Sequence, residues 1–188
     1  VLVNGTSVKE YTEEGLRNKI GIVPQKAVLF KGTIRSNLLW GNESATENDL
    51  MEALKQAQSY DFVMQKENGI DSVVEQNGRN FSGGQRQRLT IARALVRKPE
   101  ILILDDSSSA LDYATDAKLR SDIKTLKDIT LFVVSQRTAS IMDADRIVVL
   151  DDGKVVGFGT HHELLKDCSV YQEIYQSQFK KGGQSNGK

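Results

Sequence analysis

Ile101-Leu102-Ile103-Leu104-Asp105-Asp106 is the stretch on which the fold turns. A continuous apolar run of this kind belongs to a fully buried strand of a parallel sheet. The run delivers Asp105 and Asp106 at its carboxyl end, where ligands bind in open α/β sheets. A single acid there is the usual way to hold magnesium beside a nucleotide phosphate, often through water. A solvated strand end carrying two acids is the alternative.

Upstream, Phe81-Ser82-Gly83-Gly84-Gln85-Arg86-Gln87-Arg88 is a polar, glycine-rich corner that runs into Leu89, Ile91, Ala92 and Leu95, the spacing of a helix that Pro99 stops. The first turn of a helix offers unpaired N–H groups and the positive end of the macrodipole. Ser82 adds a hydroxyl, while Gly83 and Gly84 allow a ligand close to the backbone, so the corner suits a phosphate. It also reads as an ordinary helix start with a serine cap.

Downstream, Asp112 caps a helix bearing Leu119, Ile123 and Leu126. Thr130 to Val134 is the next buried strand, Ala139 to Met142 a short helix, and Ile147 to Leu150 a strand. This βαβα order predicts an α/β fold, a mainly parallel sheet with flanking helices. Asp152-Gly153 turns the last strand antiparallel into Lys154 to Gly159. Thr160 caps a helix through Lys166, and Tyr171 to Phe179 forms another. Residues 182–188 have the composition of a disordered tail.

Before the corner, Val1 to Val3 form a strand ended by Asn4-Gly5, and Ile20 to Val23 form one closed by Pro24. From Lys26 to Asn80 the texture turns helical. Thr46 caps a helix with Glu47 and Asp49 in its first turn and Leu50, Ala53, Leu54 and Ala57 on one face; a shorter helix covers Asp61 to Gln65. Residues 26–80 therefore read as a helical lobe inserted into a core made of 1–25 and 81–181.

Composition narrows the class. A hydrophobic fraction of 39% and a charged fraction of 27% are those of a globular protein, and no apolar run approaches the ~20 residues of a membrane span. Formal net charge is zero, so no nucleic-acid partner held by bulk electrostatics is indicated. The lone cysteine, Cys168, allows no internal disulfide and suits a reducing compartment. His161-His162 lack a third ligand nearby in sequence, so they read as structural rather than metal-binding. Arg86, Arg88, Arg93 and Arg97 read as polar contacts of the helix that carries them. Trp40 and the C-terminal tyrosines read as packing residues, with the Trp40 loop also able to face a partner.

Val23-Pro24-Gln25, Phe81-Ser82-Gly83-Gly84-Gln85, Ile101 to Asp106 and Ser109-Ala110-Leu111-Asp112, in this order and spacing, resemble the nucleotide-binding domain of an ABC transporter. Val28 to Leu38 resembles the exporter type more narrowly. The resemblance spans about Val3 to Leu165. It implies ATP and magnesium as ligands, a second nucleotide-binding domain and transmembrane domains as partners, and a place on the cytoplasmic face of the cell membrane. It implies that Gln25 is the Q-loop glutamine sensing magnesium and the attacking water. Ser82, Gly83, Gly84 and Gln85 become the signature that meets the γ-phosphate of ATP on the opposite domain. Asp105 becomes the magnesium aspartate, acting through water, and Ser109 to Asp112 the D-loop across the dimer interface.

Departures from the family pattern sharpen this reading. No G-x-x-x-x-G-K-[ST] phosphate loop occurs; Gly153-Lys154 lacks the glycine spacing, and the loop is expected upstream of Val1. Asp106 stands where the family has a glutamate general base, and Gln136 where it has a histidine. Aspartate is one methylene shorter, and glutamine has no titratable nitrogen. Losing well-placed acid–base help costs about 10² to 10⁴ in rate. Glu75-Gln76 replace the usual Gly-Glu. The combination resembles the degenerate-site subunit of a heterodimeric exporter of the multidrug or lipid-like kind. A hydrolysis-competent homodimer and a non-transport ABC ATPase are the alternatives.

Overall fold

Asn4 and Gly5 both adopt positive φ, 50° and 79°, the geometry of a tight hairpin turn, and join β1 (Leu2–Val3) to the antiparallel β2 (Thr6–Ser7). The computed structural model describes residues 1–107, 109–126 and 128–179. The tail read at 182–188 lies outside the described residues. Two compact units divide the chain, Val1–Val134 and Ser135–Lys188.

In the N-terminal unit, Thr12 caps α1 (Glu13–Lys19), which hands directly to β3 (Ile20–Val23). A two-residue strand, β4 (Gly32–Thr33), pairs antiparallel with β5 (Val73–Val74). Between them lie α2 (Ile34–Leu39), α3 (Glu47–Gln56) and α4 (Tyr60–Met64). Thr33 and Thr46 each start a helix with a capping box, closed by Ser36 and Asp49. Arg35 ties α2 to its surroundings through Asp71, 2.7 Å away, and through Glu47.

The signature corner opens α5 (Gly83–Val96), followed by β6 (Ile101–Asp105), α6 (Tyr113–Lys124) and β7 (Thr130–Val134). The sheet order is β3-β6-β7, all parallel, with Val23 opposite Leu104 and Asp105 opposite Val134. One face of this sheet is core: Val23, Leu102 and Leu104 are buried with Leu89, Ile91, Leu95, Leu119 and Ile123.

The other face is open. Ile22 is 60% exposed, Phe132 53% and Val134 54%. This corrects the reading of Thr130 to Val134 as fully buried. Its burial alternates along the strand, because α-helices cover only one side of β7 in this unit.

The C-terminal unit begins with a 3₁₀ turn at Thr138–Ser140, where a short α-helix over 139–142 is expected from sequence. The short stretch cannot close a second α-turn before Asp143, and Ala144 N–H already bonds Ile141 O at 3.0 Å. β8 (Ile147–Asp151) and β9 (Lys154–Gly159) form the expected antiparallel hairpin. Thr160 caps α7 (His161–Asp167) through a capping box with Glu163, and α8 (Ser169–Phe179) follows. Ile147, Val149, Leu164, Cys168 and Tyr171 make a small core of their own. Beside it, His161 Nδ1 is 2.8 Å from the Tyr171 hydroxyl.

Candidate functional site

Ser82 is extended (φ −64°, ψ 163°) and caps α5. Its Oγ accepts from the Gln85 N–H at 3.2 Å, and Gln85 Oε1 accepts from the Ser82 N–H at 3.0 Å. The serine-cap reading of this corner is therefore realised. It leaves the anion reading intact, because the box uses the Gln85 amide and leaves the Ser82 hydroxyl proton and the first-turn amides of Gly83 and Gly84 for an acceptor from outside. Ser82 and Gly83 are exposed. The approach to the corner is fixed by Arg86, whose Nη1 donates to Phe81 O at 2.6 Å, and by Asn80, whose amide donates to Val73 O at 2.7 Å.

Asp105 and Asp106 stand at the end of β6 but are held differently. Asp105 is exposed and still paired in the sheet, opposite Val134. Asp106 turns into the left-handed region, φ +43°, and its N–H donates to Val134 O at 2.8 Å. Aspartate tolerates that conformation better than most residues. The turn aims its carboxylate toward β3, where Gln25 Nε2 donates to Asp106 Oδ2 at 3.1 Å. Two residues placed past separate strand ends by sequence are thus brought together by the parallel β3–β6 register.

The loop after β6 closes on itself. Ser109 Oγ donates to Asp106 O at 2.9 Å. Asp112 caps α6, accepting from Thr115 N–H at 2.9 Å and from the Thr115 hydroxyl at 2.8 Å. Those bonds hold the Asp112 carboxyl below the usual aspartate range. Gly84 lets this loop approach the signature helix: a Cβ there would lie 3.2 Å from Ala110 O.

Among the described residues, no group of three or more His, Cys, Asp or Glu could enclose a metal ion. The donor set instead fits a magnesium ion held mainly by phosphate and water. Asp105 offers one exposed carboxylate, and the bond to Asp106 uses Gln25 Nε2 and leaves its Oε1 as an acceptor. Gln136 belongs to the C-terminal unit. Its side chain is exposed, and its carbonyl accepts from Gln178 Nε2 at 2.7 Å.

Arg88, Arg93 and Arg97, read from sequence as polar contacts of the helix that carries them, each donate to a backbone carbonyl of a distant segment. Arg88 reaches Gln58 O at 2.5 Å, Arg93 reaches Val28 O at 3.0 Å, and Arg97 reaches Gly41 O and Arg17 O, both at 3.0 Å. Burial pushes the Arg88 guanidinium down from its ordinary range, and Asp112 opposes that shift. Trp40 is 66% exposed rather than packed inside; it stacks on Phe30 with ring centroids 4.7 Å apart. The pair borders a groove of about 390 Å³ that also takes in Leu16, Ile22 and Arg93. Gln58 had no sequence signal beyond following a helix.

Compared with known proteins, residues 1–109 match the sequence profile of the family described as ABC transporter. An uncharacterised ABC transporter ATP-binding protein of Bacillus subtilis is 46% identical over 183 residues, covering 97% of this chain and 32% of its own length. One from Mycobacterium tuberculosis is 47% identical over 182 residues, covering 95% of this chain and 31% of its own. The solved structure of a bacterial Atm1-family ABC exporter with ATP bound superposes with a TM-score of 0.90 at 36% identity, covering 95% of this chain and 32% of that one. The chain thus spans about a third of the length of the relatives it matches.

Proposed function

The chain belongs to the ABC transporter family, as an ATP-binding domain of the exporter type, and from that premise we propose that it binds ATP and Mg²⁺ at the interface with a second nucleotide-binding domain and couples them to transport. In this reading Ser82, Gly83, Gly84 and Gln85 meet a nucleotide held by the partner. Gln25, Asp105 and Asp106 serve the chain's own site, Gln136 stands at the family's switch position, Ser109 and Asp112 serve the dimer interface, and 26–80 forms the helical lobe. The chain works at the cytoplasmic face of the cell membrane, with transmembrane domains docking near the Phe30–Trp40 stack. No helix among the described residues is long and apolar enough to cross a membrane.

Bound magnesium would neutralise charge on the phosphates. The chain's own groups orient the reactants: Asp105 would hold the ion through water, and Gln25, fixed by Asp106, keeps its Oε1 as an acceptor. The signature donors stabilise charge that develops on the partner's phosphate. Asp106 is the weak point. Its shorter side chain is already bonded to Gln25, and Gln136 has no titratable group with which to exchange a proton. The observation that carries the reading is this contrast, a fully formed signature beside an altered base and switch. The chain accordingly holds a degenerate site and lends a working signature to its partner.

Turnover of the complete protein alone and mixed with its partner tests this. Turnover only in the mixture is expected; robust turnover alone, abolished by Asp106→Asn, would establish the second reading, a hydrolysis-competent homodimer. The Gln25–Asp106 bond favours that reading in one respect, because it puts the carboxylate beside the Q-loop.

A further inference from the structure

The signature helix approaches the segment from β6 into α6 at its phosphate end and is tied to it again through a bridging residue. At the phosphate end, Gly84 abuts Ala110 and Leu111, so close that an added Cβ would lie 3.2 and 3.6 Å from their nearest atoms. Farther back, at the junction of α3 and α4, Gln58 joins the same two helices. Its carbonyl accepts from Arg88 Nη1 of α5 at 2.5 Å, and its side-chain amide donates to Asp122 of α6. Gln58 is itself held in the left-handed region, φ +55°, with its N–H on Lys55 O at 3.0 Å. That conformation is uncommon for glutamine and aims its two ends at different helices. Arg88 is fixed from the other side by the Phe62 ring, 4.8 Å from its guanidinium carbon.

We propose that Gln58 is a positioning residue: by bridging Arg88 on α5 and Asp122 on α6, it holds the signature corner and the Ser109–Asp112 loop in one register. The inference rests on the reading that both motifs serve the partner's nucleotide. The close approach at Gly84 and Ala110 and the shared apolar core, which is non-directional, leave the two segments able to pivot. Asp122 lies ten residues along α6 from the Asp112 cap, about 15 Å at the helical rise, so a second tie there removes the pivot. A pivot of about 1 Å at the reacting end is enough to cost up to ~10² in rate. Gln58 acts through the two helices and needs no contact with nucleotide, so it governs kcat rather than ATP affinity.

The test exchanges donor and acceptor in the complete transporter with its partner. Gln58→Glu sets a carboxylate against Asp122, and adding Asp122→Asn restores one hydrogen bond with its polarity reversed. The expected result is a kcat about tenfold lower in Gln58→Glu, with KM for ATP within about twofold, and recovery to within about twofold of wild type in the double variant. Unchanged kcat in Gln58→Glu, or a double variant no better than the single, overturns the proposal. Ser82→Arg run in parallel separates the two levels. If it silences the pair while Gln58→Glu does nothing, the tie alone is wrong; if Ser82→Arg leaves turnover intact, the underlying reading of the signature fails.

Discussion

Ser82 is held by its own helix, whereas Asp106 is held by a glutamine 81 residues away. The signature corner is built from neighbours: a capping box between residues 82 and 85, with Arg86 and Asn80 fixing the approach. The strand end at Asp106 needs β3 and β6 in register and a left-handed turn before its carboxylate meets Gln25. Local construction presents donors that need no rearrangement when a phosphate arrives. Long-range construction makes the base position sensitive to side-chain length, since the same carboxylate must satisfy Gln25 and reach a water. In the proposed reading, this difference lets one corner stay serviceable while the other loses function by a single methylene.

The strongest way to break this comparison is to repair the weak side. With Ser82→Arg present to silence the partner's site, Asp106→Glu combined with Gln136→His should raise the pair's residual ATP turnover by about 10². No gain would place the defect outside these two residues. A smaller effect is expected where the two corners touch. Gly84→Val puts a side chain against Ala110 O, already at 3.2 Å from an added Cβ, and should lower turnover of the pair about tenfold. Turnover as in wild type would show that the loop yields without consequence.

The local character of the signature is sharpened by Ser82→Ala. Loss of the cap, worth about 1 kcal/mol, should speed amide exchange at residues 83–86 about fivefold without changing exchange in β6. An equal change in β6 would mean that the corner is not independent. The smallest effect is at Asp112. Its carboxyl is held low by Thr115, so the cap's contribution is complete above the ordinary aspartate pKa of about 3.9 and is lost as pH falls through the lower folded value. Carbon NMR should place its midpoint below 3.9, and Thr115→Val should move it upward.

What sequence made legible follows the same division. Caps at Thr46, Ser82, Asp112 and Thr160 were readable because a cap and its helix are adjacent in the chain. The β6 run and the hairpin at Asp152-Gly153 were readable for the same reason. The exposure of Phe132 and Val134 was not, since an apolar run does not say how many layers cover it. Nor was the meeting of Gln25 with Asp106, which depends on strand order, or the joint at Gln58, whose sequence neighbourhood Ala57-Gln58-Ser59 carries no strong turn signal. The motifs identified the participants, and the register of the sheet determined which of them touch.

The central claim is that this chain's signature matters more to turnover than its own base position. The direct measurement is ATP turnover by the complete mixed pair carrying either Ser82→Arg or Asp106→Ala in this chain. The account predicts a loss of about 10² or more for Ser82→Arg, and less than about threefold for Asp106→Ala. Equal losses, or a greater loss for Asp106→Ala, would contradict it.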